Sequence, residues 1–273
     1  MKASFSAESL SGITERLRAA NEKSAAKYPG ETGRRQPVHT VYGGAHIFRA
    51  DSSERLGSLA RRSLDQFAPD FLVFARAIGL PGAGELPESP ADAAHLINSL
   101  ENDPNRARRE NKSLWLAYTI YNRVNEKLRR EPVEDFRIDF EDGYGNRPDS
   151  EEDGHAASAA YEVAEGNKRN SLPPFIGIRI KPLNEELRAR SIRTLDIFVS
   201  TLAELSRGSL PENFVITLPK ITNAEQVSAL VELLGELEKH SGLPDRTLKF
   251  EMMIETTQSI INERGEINLP LLL

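Results

Sequence analysis

The feature that most constrains this chain is a rhythm that starts near residue 134 and continues to the end. "EDFRIDFED", "PPFIGIRI", "ENFVITLPK" and "LKFEMMIET" are short apolar runs rich in β-branched and aromatic residues. Each is followed by a segment of helical periodicity: "SEEDGHAASAAYEVAEG", "NEELRARSIRTLDIFVSTLAELS", "NAEQVSALVELLGELEKHSG" and the start of another, "TQSIINE". Strands separated by whole helices cannot pair as hairpins, so they pair in parallel with the helices as crossovers. Runs this apolar predict a sheet covered by helices and not one facing water. "VHTVYGGAHIF", interrupted by a Gly-Gly pair, adds an earlier strand. About five βα units are visible.

Upstream the pattern is less regular. Residues 1–36 read as a helical extension, with helical patterning over 7–27 that Ser6, Ser9 or Ser11 can cap. "YPGETGRRQP" then breaks it. Residues 37–273 form the β/α part. Within it, 54–78 is helical with a break or kink at Pro69, and "GLPGAGELPESP" is a loop. Residues 91–130 predict two helices divided near "NDPNR", a helical elaboration spanning about 88–131.

Composition narrows the function. The chain has 273 residues, 39% hydrophobic and 28% charged, which suits a globular protein with a substantial core. It has no cysteine, so disulfides, thiolate metal sites and cysteine nucleophiles are excluded. A net charge of -6 and a pI near 5.6 argue against nucleic acid as partner. No run is long and apolar enough for a membrane span, and "MKASFSAESLSGITERL" lacks the apolar centre of a secretory signal. A cytoplasmic protein is expected.

Two architectures fit the rhythm, a doubly wound sheet and a (β/α)8 barrel. Polar residues stand at the C-terminal tip of every strand: His46, Glu141 with Asp142, Arg179 with Lys181, Lys220, and Glu255. Contributions from all strands converge on one centre only in a barrel, and the first βα turn lacks the G-x-G-x-x-G signature. The α/β fold expected is therefore of the (β/α)8 TIM-barrel type, with about five of its eight units present. An N-terminal helix and a helical insertion after the first strand complete it.

The strand tips also carry the candidate chemistry. In "RIDFEDGYGNR", Asp139 and Glu141 share a face, and three acids with Asp142 repel unless a cation or an arginine sits among them; the other reading is a cluster favoured by a helix dipole. Arg179, between isoleucines in "GIRIKPLN", needs an anion: a substrate carboxylate, or Asp139 or Glu141 across the sheet. Lys220 in "ITLPKITNAEQ" reaches either a substrate or a salt bridge. Gly43 and Gly44 allow backbone amides to approach an anionic group. His39 and His46 flank that pair, as structural or substrate-binding residues, and His155 reads as helix surface. In "LKFEMMIETTQS", Glu251, Met253 and Glu255 share a face, and Glu255 at the tip is costly unless paired or metal-bound. A hard divalent cation takes one or two such carboxylates, with substrate oxygens and water.

In this order, "DFED", "IRIKPLN", "LPKITNAEQV" and "MIETTQSI" resemble the motifs of the citrate lyase β-subunit-like branch of the HpcH/HpaI aldolase family, over about residues 37–273. Lys181 stands where relatives often carry Asn. The resemblance implies a Mg2+-dependent (or Mn2+-dependent) carbon–carbon lyase or aldolase. Its substrate is a 2-keto acid or a CoA thioester of a 3-hydroxy acid. In that frame Arg179 holds the keto-acid carboxylate and Glu255 is a metal ligand and catalytic residue, with Glu141 and Asp142 supporting the metal's outer shell. Gly43, Gly44, His46 and Lys220 line the substrate. The second direct metal ligand is expected beyond Leu273, as in an interrupted barrel that is inactive in this form. Open sheet edges and the apolar C-terminus favour self-association, so a homo-oligomer is expected. Two alternatives remain beside the lyase: a non-catalytic assembly or regulatory subunit built on the same half-barrel, and a phosphoenolpyruvate/pyruvate-type barrel doing phosphoryl transfer.

Overall fold

The computed structural model describes residues 5–31 and 33–273; residues 1–4 of the opening segment and Thr32 of the "YPGETGRRQP" break lie outside them. The chain divides into two compact units, residues 1–37 and 38–273. The first contains helix α1, Ala7–Lys27, the span that the periodicity predicts, with Ser6 immediately before it.

The second unit begins with strand β1, Thr40–Gly44. Helices α2, Ser52–Phe67, and α3, Phe71–Ala77, follow. They are divided around Pro69, and Asp70 caps α3 by accepting from the Leu72 and Val73 amides at 2.8 and 2.9 Å. The elaboration holds three helices where two are expected: α4, Pro90–Asn102, α5, Pro104–Glu110, and α6, Lys112–Arg130. The extra break falls at Asn111, whose side chain accepts from the Leu114 amide and starts a new helix. Phe71, Leu72, Leu86, Leu100 and Leu114 give this region a hydrophobic cluster of its own.

From here strands and helices alternate as the sequence predicts. β2 is Asp135–Asp139, α7 Asp149–Arg169, β3 Phe175–Arg179, α8 Arg188–Ser206, β4 Phe214–Leu218, α9 Ala224–Ser241 and β5 Lys249–Met252. All four pairings are parallel, and the order is β1-β2-β3-β4-β5. A doubly wound sheet reverses its order at a switch point; this sheet runs sequentially across the described strands.

The strand period of two divides the sheet into unlike faces. Phe136, Ile138, Ile176, Ile178, Phe214 and Ile216 point to one face and pack with Ala160 and Val163 of α7, Phe198 and Leu202 of α8, and Leu230 and Leu234 of α9 in one core. The opposite face carries Asp135, Arg137, Asp139, Arg179 and Thr217, all buried. The strands are therefore not apolar on both faces, as covered parallel strands commonly are.

The last elements are shorter than predicted. β5 stops at Met252, so Glu255 lies in the loop beyond it. α10 spans only Thr257–Ile260, after which Ile261 bridges Ile267 around a turn.

Candidate functional site at the C-terminal edge of the sheet

Asp139 is the fixed point of the edge. Fully buried at the end of β2, it accepts from Arg179 Nε at 2.8 Å and Nη2 at 2.6 Å. It also takes the amides of Glu141 at 2.9 Å and Gly143 at 2.7 Å. A bidentate arginine and two backbone donors satisfy both oxygens. A Cβ on Gly143 would stand 2.6 Å from Asp139 Oδ2, so the turn after β2 closes on the carboxylate only with glycine there. Arg179 thus meets the acid across the sheet that the sequence offers as one of its two partners.

With Nε and Nη2 committed, the Nη1 nitrogen of Arg179 remains. It lies 3.2 Å from Glu141 Oε2 and 4.0 Å from both Asp142 Oδ2 and Met253 Sδ. The Tyr42 ring covers the guanidinium face, 4.5 Å from Cζ. Tyr42 escapes sequence reasoning, although it shares the charged face of β1 and lies opposite Arg137 in the register; alternation counted back from Gly44 would have found it.

Lys220 joins the remaining carboxylates. Its ammonium pairs with Glu141 and lies 2.8 Å from Asp142 Oδ1, while its backbone amide donates to Glu255 Oε1 at 2.8 Å. The residue is in the left-handed region, with φ 50°. Hydrogen bonds from Lys220 hold Asp142 below the usual carboxylate range, and those to Asp142 and Glu141 raise Lys220 above its ordinary value. Beside these groups opens a cavity of about 430 Å³, lined by Glu141, Asp142, Asn146, Lys181, Asn184 and Lys220 among others. Lys181 itself is committed: its buried ammonium donates to the Phe140 carbonyl at 2.6 Å and Glu152 at 2.8 Å.

The structure therefore brings together Glu141, Asp142, Arg179, Lys220 and Glu255. His46, Gly43 and Gly44 belong to a neighbouring arrangement. A Cβ on Gly43 would come within 2.6 Å of the Phe136 ring, and one on Gly44 within 2.6 Å of the His46 ring, so packing requires both glycines. His46 stacks edge-on against Tyr144, with centroids 5.6 Å apart, and its Nδ1 is buried without a hydrogen-bond partner. Burial, then Arg147 and His155, push its pKa down. His155 is not plain helix surface: its Nδ1 lies 2.8 Å from the Tyr144 hydroxyl. Burial, then Glu152, raises that hydroxyl to about 12.

The donor set can be tested against a metal. Glu141, Asp142 and Glu255 offer oxygen only, the preference of Mg2+ and Mn2+. Glu141 Oε2 has no hydrogen-bond donor but is ion-paired with Arg179 Nη1 at 3.2 Å, and the Lys220 ammonium stands between Glu141 and Asp142 as a cation would. The donors fit a hard divalent cation in chemistry. In position they are occupied by Lys220, and among the described residues no three such side chains form a ready metal group.

These features define an α/β protein whose sequential parallel sheet gathers charged side chains at its C-terminal edge. Residues 17–273 match the family model described as Domain of unknown function (DUF6986), and the chain belongs to that family. No curated protein matches it. Among the described residues, no helix is long and apolar enough to cross a membrane.

Proposed function

We propose that this chain is a barrel-type carbon–carbon lyase or aldolase that acts, with a divalent cation, on a 2-keto acid or on a CoA thioester of a 3-hydroxy acid. The observation that carries the reading is the Nη1 edge of Arg179, facing Glu141 while Asp139 holds the rest of the guanidinium. A guanidinium locked along one side and covered by Tyr42 is preorganised to receive a carboxylate with little reorganisation. The sequential parallel sheet, with helices on its apolar face, supports the barrel frame, in which sites lie at the C-terminal end of the strands.

Arg179 binds and orients the substrate carboxylate through Nη1. Lys220, at the cavity wall, neutralises negative charge that develops on the substrate oxygen. Glu255, Glu141 and Asp142 would hold a Mg2+ or Mn2+ ion. Such an ion, when bound, polarises a keto oxygen and stabilises the enolate charge as the carbon–carbon bond breaks.

The test is calorimetric titration of the chain with oxaloacetate, pyruvate and glyoxylate in the presence of Mg2+. Binding heat is expected for wild type with at least one of them and lost in Arg179→Lys, which keeps the charge but not the fork. No heat with any 2-keto acid or CoA thioester would sink the reading.

One observation favours a second reading, an assembly subunit. β5 is a half-exposed edge strand, and Ile260, Ile261 and Ile267 beyond it are exposed. A discrete homo-oligomer by light scattering, formed equally with and without metal and in a chain that binds no keto acid, would move it to the front.

A further inference from the structure

We propose that the cavity formed by α4 to α6 binds a small aromatic anion, held at its ring by Trp115 and Tyr118 and at its charge by Arg123. This site is separate from the edge described above. Lys127 on its wall pairs with Glu134 just before β2 begins, whereas the charged cluster lies at the other end of that strand.

The cavity measures about 720 Å³, a size that accepts a small molecule. A single face of α6 runs along it. Trp115, Thr119, Asn122, Glu126 and Arg130 recur there at spacings of three and four residues, with Tyr118 and Arg123 beside them.

Both rings are fixed before any ligand arrives. The Tyr118 hydroxyl donates to Glu101 Oε1 at 2.6 Å, and its ring meets Phe71 edge-on with centroids 5.5 Å apart. Arg108, which does not line the cavity, lies over the Trp115 ring at 4.9 Å. Rings already ordered lose little freedom when a planar ligand packs against them.

The charge balance selects an anion. Residues 104–130 hold eight Lys and Arg against two Glu, in a chain whose net charge is -6. The acids on the wall are already answered: Glu101 by Tyr118, Glu126 by Arg129 at 2.7 Å, and Glu131 by Lys127 at 2.8 Å. Arg123 is exposed and makes no ion pair or hydrogen bond among the described residues. Its fork is free for a carboxylate or a phosphate. Eight residues separate it from Trp115, about 12 Å along the helix. Helical side chains lean toward the N-terminus, which brings the guanidinium back toward the rings. Ring and charge then fit the two ends of one small ligand.

Trp115 is the chain's single tryptophan, so the emission of the whole protein reports on this cavity without a label. Benzoate and phenyl phosphate present a ring with each kind of charge. Benzyl alcohol presents the ring alone, and cyclohexanecarboxylate the charge alone. Wild type is expected to show a saturable change in emission with benzoate or phenyl phosphate. Arg123→Gln, at an exposed position that folding does not depend on, should weaken that binding about ten-fold and leave benzyl alcohol unaffected. No saturable change with either aromatic anion up to about 10 mM overturns the proposal. So does equal binding of cyclohexanecarboxylate, or equal affinity in wild type and Arg123→Gln. Emission that shifts with protein concentration alone would put a second copy of the chain on this face, and that also overturns it.

Discussion

Two charged networks lie on the same face of the sheet, and they are built on opposite principles. In the middle of the strands, Arg137 pairs with buried Asp135 and reaches Glu251 Oε1 at 3.0 Å and Oε2 at 3.2 Å. Thr217 donates to Glu251 at 2.6 Å, and Thr40 donates to Asp135 at 2.8 Å. These partners come from β1, β2, β4 and β5 and answer one another. At the C-terminal edge the pattern begins in the same way, with Asp139 saturated by Arg179 and two amides. It then runs outward, through the 3.2 Å ion pair of Arg179 Nη1 with Glu141 Oε2, to the exposed Asp142 and Glu255, which Lys220 holds. Charge on a sheet face is therefore no sign of a site by itself. The closed network joins neighbouring strands, whereas the edge network reaches exposed side chains beside a cavity.

The largest test of this contrast is at its root. Asp139→Ala leaves the Arg179 charge buried and two amides without their acceptor, a type of loss that costs roughly 3–5 kcal/mol. Urea denaturation should show it, and a loss below about 1 kcal/mol would mean the edge is not anchored there. Gly143→Ala comes next, because its methyl would push on Asp139 Oδ2. About 1–3 kcal/mol is expected from such overpacking. In an Asp139→Ala background that loss should shrink, since the two changes act through one contact. In the closed network Glu251→Gln should cost less, about 1 kcal/mol, because the Glu251 side chain is 42% exposed and water replaces part of the interaction. If Glu251→Gln instead matched Asp139→Ala, the two networks would not differ as argued.

How far these features can be read from the sequence depends on how local their cause is. The alternation of strands and helices after residue 134 follows from periodicity, and the structure reproduces it element by element. The end of β5 is not local. β4 ends at Leu218 because Pro219, which has no amide to donate, follows, and the ladder with β5 stops at the Leu218–Met252 pair although "MIET" continues the apolar pattern. The start of α6 is not legible, because a capping asparagine looks like any polar residue inside a helix. The site shows the same division. Arg179, Glu141, Asp142, Lys220 and Glu255 stand out as polar residues at strand tips, and the fold gathers them. Nothing in "LPKIT" signals that Lys220 adopts a positive φ or that its amide, and not only its ammonium, does the binding. His155 reads as surface because its partner, Tyr144, comes from a loop eleven residues earlier.

The smallest expected effect separates the two kinds of network most cleanly. Asp142 is 64% exposed and Lys220 43% exposed, so their pair should stabilise the fold by no more than about 1 kcal/mol. Asp142 is held below its ordinary value of 3.8, chiefly by its hydrogen bond from Lys220. A depressed carboxylate stabilises the folded chain above the unfolded value and loses that contribution as pH falls through the folded one, because the unfolded chain takes up the proton first. The difference between wild type and Asp142→Asn in urea should therefore be greatest near neutral pH and low salt. It should begin to shrink as pH approaches 3.8, and it should also shrink in 1 M salt, where exposed charges are screened within roughly 3 Å. The Asp139→Ala loss, arising from a carboxylate with no exposure, should survive that salt almost unchanged. A loss that salt removed from both variants alike would place Asp139 and Asp142 in one solvated cluster, and the boundary between scaffold and site would have to be drawn elsewhere.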